Sequence, residues 1–270
     1  MRLSIRHATF QRFAPAAKSM IQSLRLTPRN HEGQHVVHWR IDVDVECRLK
    51  PSQDAFGNVV HGFTSYGSLD EVAITAVGEV DTFDTRGVVN NAVERFPPEL
   101  YLRSTPLTPA GRAREALVGA PSVAQEKEAL DRLHALLRAL FGGPSPAQQR
   151  QESSKGQGEA GKETRAEASS HLFIACARAL EIPARYVAGY RLDEAGTRRD
   201  GMHGWAEGFV PGLGWVGFDP EHGVCPDDRY VRVAIGLDSL GARAIRCAHS
   251  GGGEPVTNVE LVVGECRTRL

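Results

Sequence analysis

Residues 164–190 read T-R-A-E-A-S-S-H-L-F-I-A-C-A-R-A-L-E-I-P-A-R-Y-V-A-G-Y, and residues 202–220 read M-H-G-W-A-E-G-F-V-P-G-L-G-W-V-G-F-D-P. Thr164-x-x-Glu167 is a capping box, in which the Thr hydroxyl meets the amide three residues on and the Glu side chain reaches back. The helix it opens buries Leu172, Phe173, Cys176, Ala179 and Leu180 and stops before Pro183. Residues 185–190 then form a strand. Residues 203–210 form another, with His203, Trp205, Glu207 and Phe209 on one face, because strand side chains alternate. Pro211-Gly212-Leu213-Gly214 turns the chain. Residues 215–219 return as the partner strand, and Pro220 ends it.

This order of elements is a scaffold for a Cys-His-Asp site. A thiol attacks best as a thiolate. The N-terminus of a helix favours that anion through its amides and dipole. A His takes the proton or stabilises the thiolate, and an Asp fixes the ring. Here His203 and Asp219 stand on two strands of one hairpin, where pairing brings them within hydrogen-bond reach. The capping box places Ala166 at the second helical residue, where a nucleophile is expected, and alanine has no group that attacks.

These stretches resemble the transglutaminase-like superfamily of papain-like fold, in the bacterial group with an N-terminal β-domain. The family pattern reads G-V-C-Q-D-x-A-H-x-F-I-A, L-G-I-P-A-R-Y-V-S-G-Y, H-A-W-x-E and G-W-x-G-F-D-P. The matching residues are 171–175, 182–190, 203–207 and 214–220, with further likeness at 223–226, 229–236, 24–29, Trp39 and 54–61. The resemblance implies an α+β fold in which an N-terminal antiparallel β-domain precedes a papain-like core, a helix packed on an antiparallel sheet. It carries the catalytic His to His203, the catalytic Asp to Asp219 and the nucleophile to Ala166. All five positions of G-V-C-Q-D differ at residues 164–168. The expected function is therefore a catalytically degenerate relative that keeps a cleft for a peptide or protein, shaped by Trp205 and Glu207. The alternative is an active cysteine peptidase, amidase or transglutaminase with a relocated thiol such as Cys225. A third reading is a structural module whose cleft is filled by residues 144–162.

Several residues have plainer readings. His203 and Asp219 also make sense as a structural hydrogen-bonded pair. Cys176 lies ten residues past Ala166, about 15 Å along a helix, and reads as a small buried core residue. Ser169 and Ser170 are placed on the polar side of the helix. His171 reads as a packing residue, and Arg198-Arg199-Asp200 as a solvated loop.

Composition excludes some classes. The 270 residues are 41% hydrophobic and 24% charged, with a formal net charge of −1. Nucleic acid is not expected as a partner, for want of a basic footprint. No apolar run approaches the roughly 20 residues of a membrane span. The start lacks an apolar signal core. Five scattered cysteines then read as reduced thiols in the cytoplasm. With no Cys-x-x-Cys pair, no metal is expected, and no motif implies an organic cofactor.

Residues 1–85 read as a series of strands at 3–10, 23–27, 39–45, 59–63 and 72–80, an antiparallel sandwich or meander. Residues 86–122, with five prolines, read as a connector with little regular structure. Residues 123–270 form the core. Its first helix carries Leu130, Leu133, Leu137 and Leu140 on one face and is stopped by Gly142-Gly143-Pro144. A flexible insertion at about 144–162 interrupts this core. Strands are also expected at 230–235 and 256–263.

Overall fold

The computed structural model describes residues 1–142, 163–193 and 201–266. The insertion expected at 144–162 and the charged loop at 194–200 lie outside the described residues. Two antiparallel sheets build the molecule. The first holds β1 (Arg2–Thr27), β2 (Gln34–Val43), β3 (Lys50–Gln53) and β4 (Val59–Thr82). The second runs in the order β5 (Val88–Val89), β8 (Gly214–Phe218), β7 (His203–Val210), β6 (Ala184–Arg191) and β9 (Tyr230–Gly236). The α+β architecture is the expected one, mostly sheet with a small helical part.

The first sheet departs from the expected set of short strands. β1 and β4 are single long strands paired along their length, and register breaks between Arg12 and Ala17 and between Ala17 and Ser19 bend them. The bend lets Ala17, Met20 and Leu24 share one apolar cluster with Val72, Ile74 and Ala76. Alternation marks which residues face inward, but it does not show that two short runs belong to one bent strand.

Two boundaries need correction. Residues 245–265 do not belong to the second sheet. β10 (Ile245–Ser250) and β11 (Val256–Glu265) pair with the two halves of β1 and cover its free edge. An uncovered edge of that length would expose a row of unpaired amides and carbonyls. Residues 86–122 are not an irregular connector either. They carry β5, a short 3₁₀ turn (Pro98–Leu102), α1 (Ala110–Val118) and the start of α2 (Pro121–Gln125). The prolines open these elements: Pro98 and Pro121 sit in the first turns and Pro109 is the residue before α1. Proline's missing N–H costs nothing there.

α3 (Ala129–Phe141) and α4 (Arg165–Ala179) cover one face of the second sheet. The contact is close because β7 alternates large residues with Gly204, Ala206 and Gly208. A Cβ at Gly208 would lie 2.7 Å from Leu133 Cδ1, and one at Gly204 would lie 1.9 Å from the Tyr186 hydroxyl. Buried Arg178 of α4 then ties the connector to the core. It donates to Tyr101 O (2.8 Å), Thr108 Oγ1 (2.7 Å), Ala184 O (2.8 Å) and Leu237 O (2.7 Å). Burial lowers its pKa to about 10.

The two sheets also bind each other. Leu3, Ile5, Val80, Leu261 and Val263 of the first sheet join the cluster that holds Phe173, Tyr186 and Phe218 of the second. β9 is an edge strand, and side-chain amides from β2 and from the turn before β4 act as its missing neighbour. Gln34 bonds both N and O of Arg232 (2.7 and 2.9 Å), and Asn58 bonds both N and O of Ile235 (2.8 Å each).

Candidate active site

The site lies where α4 meets the β7–β8 hairpin. Both bonds of the capping box are present: Thr164 Oγ1 accepts from Glu167 N (3.2 Å), and Glu167 Oε2 accepts from Thr164 N (2.8 Å). Ala166 is the second helical residue and is buried. One turn further on, Ser170 donates to Gly204 O at 3.2 Å, which fixes the start of α4 over the residue that follows His203. Ser170 is therefore fully buried rather than on the polar side of the helix. Ser169 turns back on its own helix, to Arg165 O at 2.8 Å.

His203 and Asp219 come together, with Nε2 2.7 Å from Oδ2 and both side chains fully buried. Asp219 Oδ2 also receives His222 Nδ1 (2.8 Å) and the Tyr230 hydroxyl (2.7 Å), and Oδ1 accepts the amides of Glu221 (3.0 Å) and His222 (3.3 Å). Arg191 Nε donates to the Tyr230 hydroxyl at 3.0 Å. Burial alone would raise the Asp219 pKa. The bonds from His203 and His222 outweigh it and hold the carboxyl well below the usual range. An ionised carboxylate only accepts, so both ring nitrogens that face it carry hydrogen. That leaves the far nitrogen of His203, Nδ1, buried and without a hydrogen-bond partner. Its neighbour is Glu221 Oε2 at 3.6 Å. The ring stacks near Trp205, with centroids 6.1 Å apart.

Four members of this network, Arg191, Glu221, His222 and Tyr230, are not singled out by sequence. The signal for His222 is its place three residues after Asp219, where one turn brings it back to the carboxylate. Tyr230 opens a strand of ordinary appearance and carries no such signal.

The other candidate residues have partners elsewhere. Glu207 is fully buried and held by Arg185 Nε (2.7 Å) and by Arg232 (2.7 and 3.1 Å). Burial would raise its pKa, but the two guanidiniums bring it to about 2. Trp205 and Glu207 line a small cavity of about 40 Å³ together with His31, Gln34, Tyr230 and Arg232, and Ala166, His203 and Asp219 are not among its lining residues. Cys176 is fully buried in the core beside Ala113 O, and burial pushes its thiol up to about 11. Cys225 packs beside Gly87 next to β5, and burial raises its thiol as well. His171 is buried, with Nδ1 on Glu163 and Nε2 accepting from Ser239 N at 3.0 Å.

A helix N-terminus over a His-Asp pair on an antiparallel hairpin defines the class of papain-like thiol enzymes and their relatives. The family models agree. Residues 3–81 match the bacterial transglutaminase-like N-terminal region, and residues 121–220 match the transglutaminase-like superfamily. The chain belongs to the bacterial transglutaminase-like proteins. An uncharacterised protein of Mycobacterium leprae is 24% identical over 286 residues, covering 97% of each chain. One of Mycobacterium tuberculosis is 26% identical over 274 residues, covering 88% of this chain and 84% of the relative. The fold is also that of a candidate cysteine protease from Cytophaga hutchinsonii, with a TM-score of 0.70 at 15% identity over 99% of this chain and 92% of that one.

Proposed function

We propose that this chain is a catalytically degenerate transglutaminase-like protein that keeps the His203–Asp219 pair and binds a peptide or protein at its cleft. The observation that carries this reading is Ala166 at the capped start of α4, a helix whose next turn bonds Gly204, the residue after a His203 already oriented by Asp219. The relocated-thiol alternative has little support. Cys176 is enclosed in the core and Cys225 packs beside Gly87, and burial raises both thiols, whereas a nucleophile needs a lowered pKa. The unpaired state of Cys47, Cys176, Cys225, Cys247 and Cys266 favours a reducing compartment such as the cytoplasm. No helix among the described residues is long and apolar enough to cross a membrane.

The test restores the missing atom. In the presence of EDTA, Ala166→Cys should react with iodoacetamide at least about tenfold faster than any native cysteine, since a helix N-terminus and an adjacent His lower a thiol pKa. The gain should vanish in the double variant with His203→Ala. Fast, His203-dependent labelling of Cys225 in the unaltered protein would overturn the degenerate reading.

A further inference from the structure

Beside the His203–Asp219 pair stand two side chains that the degenerate reading does not use, Glu221 and His222. One ligand atom from each of His203, Glu221 and His222 lies within 4.8 Å of the other two. Asp219 Oδ2 holds His203 through Nε2 and His222 through Nδ1. His203 is only 2% exposed, and its Nδ1 has no hydrogen-bond partner. That atom faces Glu221 Oε2 at 3.6 Å, near the roughly 3.3 Å between ligand atoms around a tetrahedral ion with bonds of about 2.0–2.1 Å.

From this geometry we infer a divalent transition-metal site, of the Zn²⁺ class, with His203, His222 and the Glu221 carboxylate as ligands. Asp219 is the outer carboxylate that sets both imidazole tautomers, the arrangement that orients metal-binding histidines elsewhere. The turn is pinned for the purpose, because Asp219 Oδ1 accepts the amides of Glu221 and His222 and Asp219 O accepts Gly223 N at 2.8 Å. The charge is right too. Glu221 and Asp219 set two carboxylates beside the two rings, enough to balance a dication. Glu221 and His222 are a quarter or less exposed, which leaves one side open for a fourth ligand from solvent. Two imidazoles and one carboxylate with an open position are a donor set that zinc accepts. A search for cysteine pairs passes over it. The site stands independently of whether the cleft binds a peptide.

The experiment uses the full chain without a histidine tag, stripped with EDTA and dialysed. Titration with ZnCl₂ by calorimetry should show an equivalent of ion bound. Glu221→Gln and His222→Ala, both on a partly exposed turn, should each weaken binding at least about tenfold with circular dichroism unchanged, the metal-free Tm of His222→Ala falling by no more than the loss of its one bond to Asp219 explains. Asp219→Asn should weaken it by roughly 10- to 100-fold, as loss of an outer carboxylate does. Co²⁺ in place of Zn²⁺ should give the visible absorption of a low-coordinate nitrogen-oxygen site, lost in His222→Ala. Binding well below one equivalent, or binding unchanged in both turn variants, would overturn the assignment. Neither result bears on the iodoacetamide test of Ala166→Cys, which is run in chelator.

Discussion

Strand β7 carries two fully buried ionisable side chains, His203 and Glu207, on the same face, and the fold treats them in opposite ways. Both oxygens of Glu207 are occupied by Arg185 and Arg232. Arg185 is itself completed by two bonds to Glu94 (2.6 and 2.9 Å) and lies 3.7 Å from the centre of the Trp215 ring. At the other end, His203 has one nitrogen on Asp219 and one with no partner. Buried polar atoms are nearly always satisfied, so an exception calls for a reason. The saturated end is structure. The unsaturated end is the one that the inference above gives to an ion.

The contrast can be broken by stability measurements. Arg185→Met leaves Glu207 and Glu94 short of a buried cation, and should cost about 3–5 kcal/mol in urea denaturation. His203→Ala removes one bond from an Asp219 that keeps His222 and Tyr230, and should cost about 1–2 kcal/mol. A larger loss at His203 than at Arg185 would mean that the half-satisfied pair is the structural one.

His7 sharpens the comparison, because it is a buried ring with both nitrogens engaged, Nδ1 with the Tyr190 hydroxyl (3.2 Å) and Nε2 with Thr9 Oγ1 (3.3 Å). Burial lowers its pKa from 6.5 to about 4. Between those values the unfolded chain takes up a proton that the folded chain refuses. Stability is therefore full above about pH 6.5 and falls as the pH drops towards 4, by up to roughly 1.4 kcal/mol per pH unit from this group. Urea midpoints across that window should flatten in His7→Gln. No change in slope would show that His7 is protonated without cost.

The smallest effect is expected at the cap. Thr164→Ala removes the side-chain half of the capping box and should lower stability by about 1 kcal/mol. A negligible loss would show that packing, through Ser170 on Gly204, is enough to hold the start of α4.

Legibility followed locality. The capping box joins Thr164 to a residue three positions away, and the His203–Asp219 pair spans one hairpin, so both can be read from spacing. The buried arginines cannot. Arg178 and Arg185 look like surface charges in a sequence, since arginine is rarely buried without partners, and their partners Tyr101, Thr108 and Glu94 lie 70 or more residues away. The return of residues 245–265 to β1 is hidden for the same reason: alternation names the buried face of a strand but not its neighbour. Prolines at 86–122 misled because proline at the first turn of a helix resembles proline in a loop unless the capping position is known.

The placement of β10 and β11 on β1 has a consequence for the order of synthesis. β1 leaves the ribosome before the other strands described, and β4 takes one of its edges early. Its other edge pairs with Ile245–Ser250 and Val256–Glu265, which emerge only after the whole second sheet has been made. Throughout that interval a long strand waits half-paired, open to a strand of another nascent chain. The strands that close this edge are thus the last made among those described, and they end its exposure to misassembly.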